Sequence, residues 1–180
     1  HLSGVRDDEL YIRWVQFGVF SPILRLHSTQ NEYLGKEPWK FSKDTERTTK
    51  EYLRLRHRLI PYIYTANHLT HTAGIPLMKP MYYDYPRCDA AYEVKNEYMF
   101  GSELIVAPIT EKTSEKTRTA TAQVWLPEGR YTDIFTGRIY SGNHFVKMYR
   151  DIDCIPVLAK EGAIIPLDAN DRTNDCSNPK

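Results

Sequence analysis

The chain has 180 residues, of which 41% are hydrophobic and 26% charged, which is typical of a globular protein rather than a disordered one. Its formal net charge of +1 excludes a global field that attracts nucleic acid or anionic lipid, and no apolar run in the sequence is long enough to span a bilayer. The N-terminus has neither an initiating Met nor the layout of a signal peptide, so we expect it to be an internal cut.

The first predicted helix begins near Asp7, because three successive acidic residues suit the exposed N–H groups of a first helical turn. Leu10, Trp14 and Phe17 recur at helical spacing and are expected to form its buried face. Pro22 forbids continuation of the helix. The short apolar run at 23–27 then predicts a buried strand whose last residues emerge at a surface.

A long helix is predicted at 44–72, where Tyr52, Leu59 and Ile63 belong to an apolar stripe that also includes Leu55 and Ala66. Pro61 lies inside the stripe and is expected to kink the helix rather than end it, because the pattern resumes beyond it. Gly74, followed by Pro76, predicts the stop.

Beyond residue 74 the pattern becomes extended, with short apolar runs separated by Gly- and Pro-containing turns. The predicted strands lie at 102–109, 123–126, 130–135, 144–149 and 155–165. Runs at this spacing favour an antiparallel β-sandwich. The polar stretch at 111–121 is expected to be an exposed loop, and residues 169–180 a polar tail or linker.

Cysteines and histidines give no sign of a metal centre or a disulfide framework. Cys88, Cys154 and Cys176 are widely spaced and form no CxxC pair, so we expect reduced thiols, a reducing compartment such as the cytoplasm, and no cofactor. His68 and His71 lie one helical turn apart without a third ligand at useful spacing, which favours a solvated helix face.

Other local patterns invite a functional interpretation but favour a structural one. Arg54, Arg56 and Arg58 fan around a helix axis, so nucleic-acid binding is not predicted. Trp39 and Trp125 could stack on sugars, yet such residues beside a sheet are more often part of the core.

Motifs along nearly the whole chain resemble, in collinear order, those of glycoside hydrolase family 31, which contains α-glucosidases and α-xylosidases. The longest is ELYIRWVQFGVFSP at 9–22, continuing as LRLH at 24–27. The further runs are EPW at 37–39, LRLRHRLIPYIY at 53–64, PM at 80–81 leading to YP at 85–86, FGSELIVAP at 100–108 and WLPEG at 125–129.

The resemblance implies the last helix–strand–helix portion of a (β/α)8 barrel over residues 1–75, followed by a proximal C-terminal β-sandwich over 76–168. Members of the family hydrolyse α-linked glycosides with retention, using two Asp residues that lie on earlier barrel strands. Both catalytic acids are therefore expected upstream of His1. We expect no catalytic residue in this chain, and predict an α-linked oligosaccharide or glycoside and the remainder of the barrel as partners.

Three residues are predicted to bind sugar. His27 matches the histidine that contacts sugar hydroxyls in the family, and imidazole can both donate and accept hydrogen bonds. Arg25 points to the same face as His27 if the run is a strand, where it lines the pocket or holds a neighbouring carboxylate. His1 stands where many members have an aromatic residue, so a polar contact replaces stacking there.

Two other classes of function stay open at this stage. The β-sandwich is the basis of the first, a non-catalytic carbohydrate-binding or interaction module. The second is a purely structural domain that pairs with a separately encoded barrel.

Overall fold

A computed structural model describes residues 6–27 and 32–173 of the chain. The α-helices in these ranges are α1 (Asp8–Val19), α2 (Lys43–Arg58), α3 (Ile60–Ala73), α4 (Met81–Asp84) and α5 (Ala90–Glu93). Two short 3-10 helices lie at Glu32–Leu34 and Pro38–Lys40. The strands are β1 (Met78–Pro80), β2 (Tyr98–Phe100), β3 (Leu104–Val106), β4 (Ala120–Leu126), β5 (Arg130–Asp133), β6 (Ile139–Ser141), β7 (His144–Arg150) and β8 (Val157–Lys160).

The start of α1 agrees with the prediction. Asp7 is its N-cap, and the Asp7 carboxylate accepts a hydrogen bond from the Leu10 amide at 2.9 Å. Such a cap satisfies one of the N–H groups that a helix start leaves without an intrahelical partner.

The predicted buried face of α1 is wrong for Leu10 and Trp14, whereas Phe17 is partly buried and packs against the core. Leu10 and Trp14 are exposed, Trp14 by 61%, whereas Tyr11, Val15 and Val19 on another face are buried. Both faces are apolar, so periodicity alone could not decide between them. The face with Tyr11 and Val15 is the one that packs into the core with α2.

The predicted strand at 23–27 is not formed within the described residues. The segment is irregular, and Ile23 is 82% exposed. A buried parallel strand needs a hydrogen-bonded neighbour at each edge, and within residues 6–27 and 32–173 no strand pairs with this segment.

The predicted long helix is interrupted by a single residue, Leu59, between α2 and α3. Pro61 lies in the first turn of α3, where backbone N–H groups have no intrahelical acceptor, so its lack of an N–H costs no hydrogen bond. The kinked helix of the prediction is therefore two helices, with the apolar stripe continuing into both; Leu59 and Ile63 are buried. α3 ends at Gly74, as predicted, with φ at +68°.

The strands form two antiparallel sheets. One has six strands in the order β1-β2-β3-β8-β5-β6, and the other is the two-stranded sheet of β4 and β7. An antiparallel β-region is confirmed, and each strand predicted beyond residue 74 coincides with an observed one; β1, β2 and β6 were not predicted. Residues 107–119 are irregular, largely as expected, although β4 begins at Ala120 rather than after Thr121.

The middle of the six-stranded sheet, at β2 and β3, is buried on both faces. Leu104 and Val106 of β3 point into a cluster with Val15 of α1, whereas Ile105 between them belongs to a second cluster with Val124 of β4. Successive side chains of a strand point to opposite faces, so the helices cover one face of this sheet and the β4–β7 sheet covers the other. The helices therefore complete their core with the sheet.

Candidate functional site

Arg25 and His27 line the same cleft, which has a volume of about 340 Å³ and has α1 as its other wall. Trp14 and Arg6 line it as well, so an indole and two guanidinium groups border the cleft together with the imidazole. Both Arg25 and His27 are exposed. The third predicted residue, His1, lies outside the described residues. Two of the predicted residues thus meet in one cleft, on an irregular segment rather than on a strand.

The segment that bears these residues approaches α1 closely at Gly18. A Cβ built on Gly18 would lie 2.5 Å from Cδ1 of Leu24. Leu24 is partly buried against the main core at this point. The glycine of the α1 motif therefore leaves room for the chain to fold back along the helix it has just left.

Arg56 contacts the same turn from α2, and sequence reasoning missed it. Its guanidinium donates to the carbonyl oxygens of Val19, Ser21 and Pro22 at 2.8, 2.5 and 2.8 Å. Arg54 and Arg58 are exposed, so the three arginines fan around the axis as expected. The signal was present in the stripe, because Arg56 lies three residues before buried Leu59.

The acidic first turn of α1 makes structural contacts. Asp8 accepts hydrogen bonds from the Ser42 amide at 3.1 Å and from the Thr45 hydroxyl at 2.6 Å. Burial favours the neutral form of Asp8, but these hydrogen bonds outweigh it and lower the pKa of the carboxyl. Glu9 accepts from the amide and hydroxyl of Thr113 at 2.8 and 2.5 Å. These contacts tie the start of α1 to α2 and to the loop after β3.

The next residues of the same motif join α1 to the loop after β7. Arg13 is buried and donates to the carbonyl oxygens of Asp151 and Cys154 at 2.9 and 3.1 Å. Gln16 donates to the carbonyl of Ile152 at 2.8 Å and accepts from Arg13 at 3.0 Å. We call this pair the Arg13–Gln16 clamp. It fixes the helix that walls the cleft to the β-region.

A larger cavity, of about 1050 Å³, lies on the other side of Trp14, between α1 and the β1–β2 end of the six-stranded sheet. Tyr82 and Tyr92 line it with stacked rings whose centroids are 5.2 Å apart. Glu97 lies in its wall, only 5% exposed, and burial raises the pKa of this carboxyl to about 8. The only hydrogen bond of its carboxylate among the described residues is from the Trp125 amide, at 2.8 Å.

The remaining candidates from the sequence lie apart from the cleft. His68 and His71 are exposed on α3, and the described part of the chain has no group of three or more metal-ligating side chains. Trp125 is buried in the core and packs edge-on against Tyr85, whereas Trp39 is 66% exposed. None of the helices in the described ranges combines the length and the hydrophobicity of a membrane span.

Two family models match almost the whole chain. The model of the glycosyl hydrolase family 31 TIM-barrel domain matches residues 3–66, and that of the glycosyl hydrolase family 31 C-terminal domain matches residues 74–165. The chain belongs to glycoside hydrolase family 31. Membership confirms the resemblance found in the motifs.

Family 31 relatives of known name include α-glucosidases and α-xylosidases. The chain is 32% identical over 161 residues to alpha-glucosidase 2 of Bacillus thermoamyloliquefaciens, covering 89% of this chain and 20% of that protein. It is 34% identical over 161 residues to the alpha-xylosidase of Saccharolobus solfataricus, covering 88% and 21%. The chain thus spans about a fifth of the length of these relatives.

Solved structures of family 31 enzymes show the same fold over this region. The cycloalternan-forming enzyme of Listeria monocytogenes, in complex with a pentasaccharide substrate, superposes with a TM-score of 0.83 at 34% identity, covering 93% of this chain and 17% of that one. The Flavobacterium johnsoniae dextranase, complexed with isomaltotriose, gives 0.81 at 34% identity, covering 89% and 19%.

Proposed function

We propose that the chain is the C-terminal part of a retaining α-glycoside hydrolase of the α-glucosidase type, contributing one wall of the sugar pocket. Arg25 and His27 form that wall, and the catalytic acids lie upstream of His1. The observation that supports this most strongly is that both side chains line one cleft within a chain that belongs to a glycosidase family. The proposed substrate is an α-linked oligosaccharide or glycoside.

The exposed apolar surface around the cleft supports an incomplete barrel. Leu10 and Trp14 are four residues apart on α1 and exposed, and Ile23 on the neighbouring segment is 82% exposed. Apolar residues in such a group usually mark a surface that another part of a protein covers. We propose that the preceding barrel units cover it, that residues 23–27 then pair as the eighth strand, and that α1 and α2–α3 are the seventh and eighth helices.

The chemistry of the two side chains suits sugar hydroxyls rather than bond cleavage. An imidazole donates with one ring nitrogen and accepts with the other, so His27 can orient two hydroxyls. Arg25 offers only donors and can hold a hydroxyl or a neighbouring carboxylate. Retaining hydrolysis needs two carboxylates about 5–5.5 Å apart, and the acids nearest the cleft, at the start of α1, are occupied by Leu10, Ser42, Thr45 and Thr113. His1 is proposed as a further polar contact.

Activity measurements test the proposal in two settings. The isolated chain is expected to show no hydrolysis of an aryl α-glucoside or α-xyloside; turnover that survives rigorous purification would overturn the proposal. In the second setting, this chain replaces the matching segment of the B. thermoamyloliquefaciens α-glucosidase. His27→Ala in the chimera is expected to raise KM, while the matched change His68→Ala on exposed α3 leaves KM unchanged. Equal effects of the two changes would contradict a pocket role for His27.

A carbohydrate-binding module without catalysis is the second candidate. The stacked pair of Tyr82 and Tyr92 beside the larger cavity favours it, because exposed aromatic rings can stack on sugars. Calorimetric titration of the isolated chain with α-linked oligosaccharides separates the two. Affinity that survives His27→Ala but is lost in Tyr92→Ala favours the module.

A further inference from the structure

We propose that Arg56 is a positioning residue for the cleft, one that holds the turn from which Arg25 and His27 extend. An effect of Arg56 on sugar binding rests on the proposed function, in which Arg25 and His27 bind the sugar. Its structural part, the hold on the turn at 19–22, stands on the contacts of Arg56 itself.

Every carbonyl of this turn accepts a hydrogen bond from a side chain. Arg56 donates to Val19, Ser21 and Pro22, and the hydroxyl of Tyr98, from β2, donates to the carbonyl of Phe20, which lies between them, at 2.8 Å. Four consecutive peptide groups are therefore oriented by two side chains from different elements. The last of the four immediately precedes the segment at 23–27.

The charge of Arg56 makes these contacts strong. Its guanidinium is partly buried, and burial lowers its pKa, yet an arginine stays charged at physiological pH. Within the described residues no carboxylate forms an ion pair with it, and its guanidinium donates to three carbonyl oxygens instead. Val19 is the last residue of α1, where helix carbonyls lack intrahelical partners and a cation is favourable.

The geometry requires the planar fork of an arginine. Two nitrogens reach three carbonyls at once, Nη1 bonding Val19 and Ser21 and Nη2 bonding Pro22. A lysine ammonium is a single point of charge on a flexible stem and cannot span the three oxygens. With lysine at this position, the path of the chain from Pro22 to His27 loses its fixed starting point.

The test compares Arg56→Lys with Arg54→Lys, a matched change on an exposed arginine two residues away. In the full 180-residue chain, ¹⁵N relaxation of the amides at 23–27 measures the hold on the segment. Arg56→Lys is expected to lower their order parameters toward the range below about 0.6 that marks flexible backbone. The amides of β3 in the same variant are expected to keep wild-type values. In Arg54→Lys, the amides at 23–27 are also expected to keep wild-type values.

The same two variants are then made in the α-glucosidase chimera, next to His27→Ala. Arg56→Lys is expected to raise KM by about tenfold with little change in kcat, less than the about hundredfold loss that a 1 Å misplacement can cause. Arg54→Lys is expected to leave both constants unchanged.

The outcomes separate this inference from the proposed function. Unchanged order parameters in Arg56→Lys overturn the inference, even if His27→Ala raises KM and the proposed function stands. Lowered order parameters with an unchanged KM also overturn it when His27→Ala raises KM. If neither variant changes KM, the pocket role of His27 fails, and the positioning role fails with it. Lowered order parameters together with a raised KM support it.

Discussion

The hydroxyl of Tyr62 on α3 donates to the carbonyl of Phe100 at 2.8 Å, which joins the helices to the end of β2. The same oxygen accepts from the amide of Glu103 at 3.2 Å, so one side chain holds both sides of the β2–β3 turn. Burial raises the pKa of Tyr62 to about 12, which keeps the hydroxyl protonated near neutral pH. Gly101 lies in this turn, and a Cβ built on it would overlap the Tyr62 hydroxyl.

Gly101→Ala is therefore expected to destabilise the chain by about 2–5 kcal/mol, combining about 1–2 kcal/mol for a left-handed residue with about 1–3 kcal/mol for overpacking. Urea unfolding measures the free energy change. The control is Gly137→Ala, because Gly137 also has positive φ but open space around its missing Cβ. Equal costs at both positions would show that the approach of Tyr62 adds nothing.

Arg13→Met is expected to lower the free energy of unfolding by at least about 2 kcal/mol, because hydrogen bonds to charged groups contribute about 1.5–3 kcal/mol each. The change removes the contacts of the Arg13–Gln16 clamp to the carbonyls of Asp151 and Cys154. Chemical denaturation provides the measurement, and Arg87→Met on an exposed arginine is the control. A loss no greater than the control's would mean that the clamp does not stabilise the fold.

Stability is expected to fall as pH rises, because of Glu97. Burial raises the pKa of Glu97 from an ordinary 4.5 to about 8 in the folded chain. Between these two pH values the carboxyl is protonated in the folded state and ionised in the unfolded state, so stability falls as pH rises. The stabilisation is full below the unfolded value and is lost by about pH 8. Glu97→Gln removes this slope and raises stability at pH 8 by a few kcal/mol at most. Denaturation midpoints from pH 5 to 9 test it, with exposed Glu93→Gln as control; an unaltered slope contradicts the assignment.

Trp14→Gln is expected to change the stability of the isolated chain by less than about 0.5 kcal/mol, as is usual at an exposed position. Val15→Ala, on the buried face of α1, should cost about 1–3 kcal/mol. In the α-glucosidase chimera, the preceding barrel units are proposed to cover Trp14. Trp14→Gln should therefore lower the melting temperature of the chimera. A melting temperature that does not move there would argue that this face stays open to solvent.

Local signals in the sequence were enough for the start of α1, the stop at Gly74 and most strands. The Asp7 cap and the left-handed Gly74 act within one turn of the chain, so their residue types reveal them. β3 and β8 were found because each is a short apolar run bounded by turn residues.

Features that depend on distant partners were not predictable in the same way. Which face of α1 is buried depends on packing with α2 and the six-stranded sheet, and periodicity marks only that an apolar face exists. The segment at 23–27 has the residues of a strand but no neighbour to pair with among the described residues. The contacts of Arg56 link positions more than thirty residues apart, so its place beside buried Leu59 indicates an inward-facing side chain but not which carbonyls it binds.

Burial of β2 and β3 on both faces of the six-stranded sheet limits how this region can be divided. A cut at Gly74, between the two matched family models, would leave Phe100, Leu104 and Val106 facing water on one side and Tyr11 and Val15 on the other. Each half would then expose an apolar face that is buried in the intact chain. Recombination that exchanges the β-region between glycosidases must therefore include α1 to α3. Otherwise, the apolar interface between these helices and the six-stranded sheet must be redesigned on both sides.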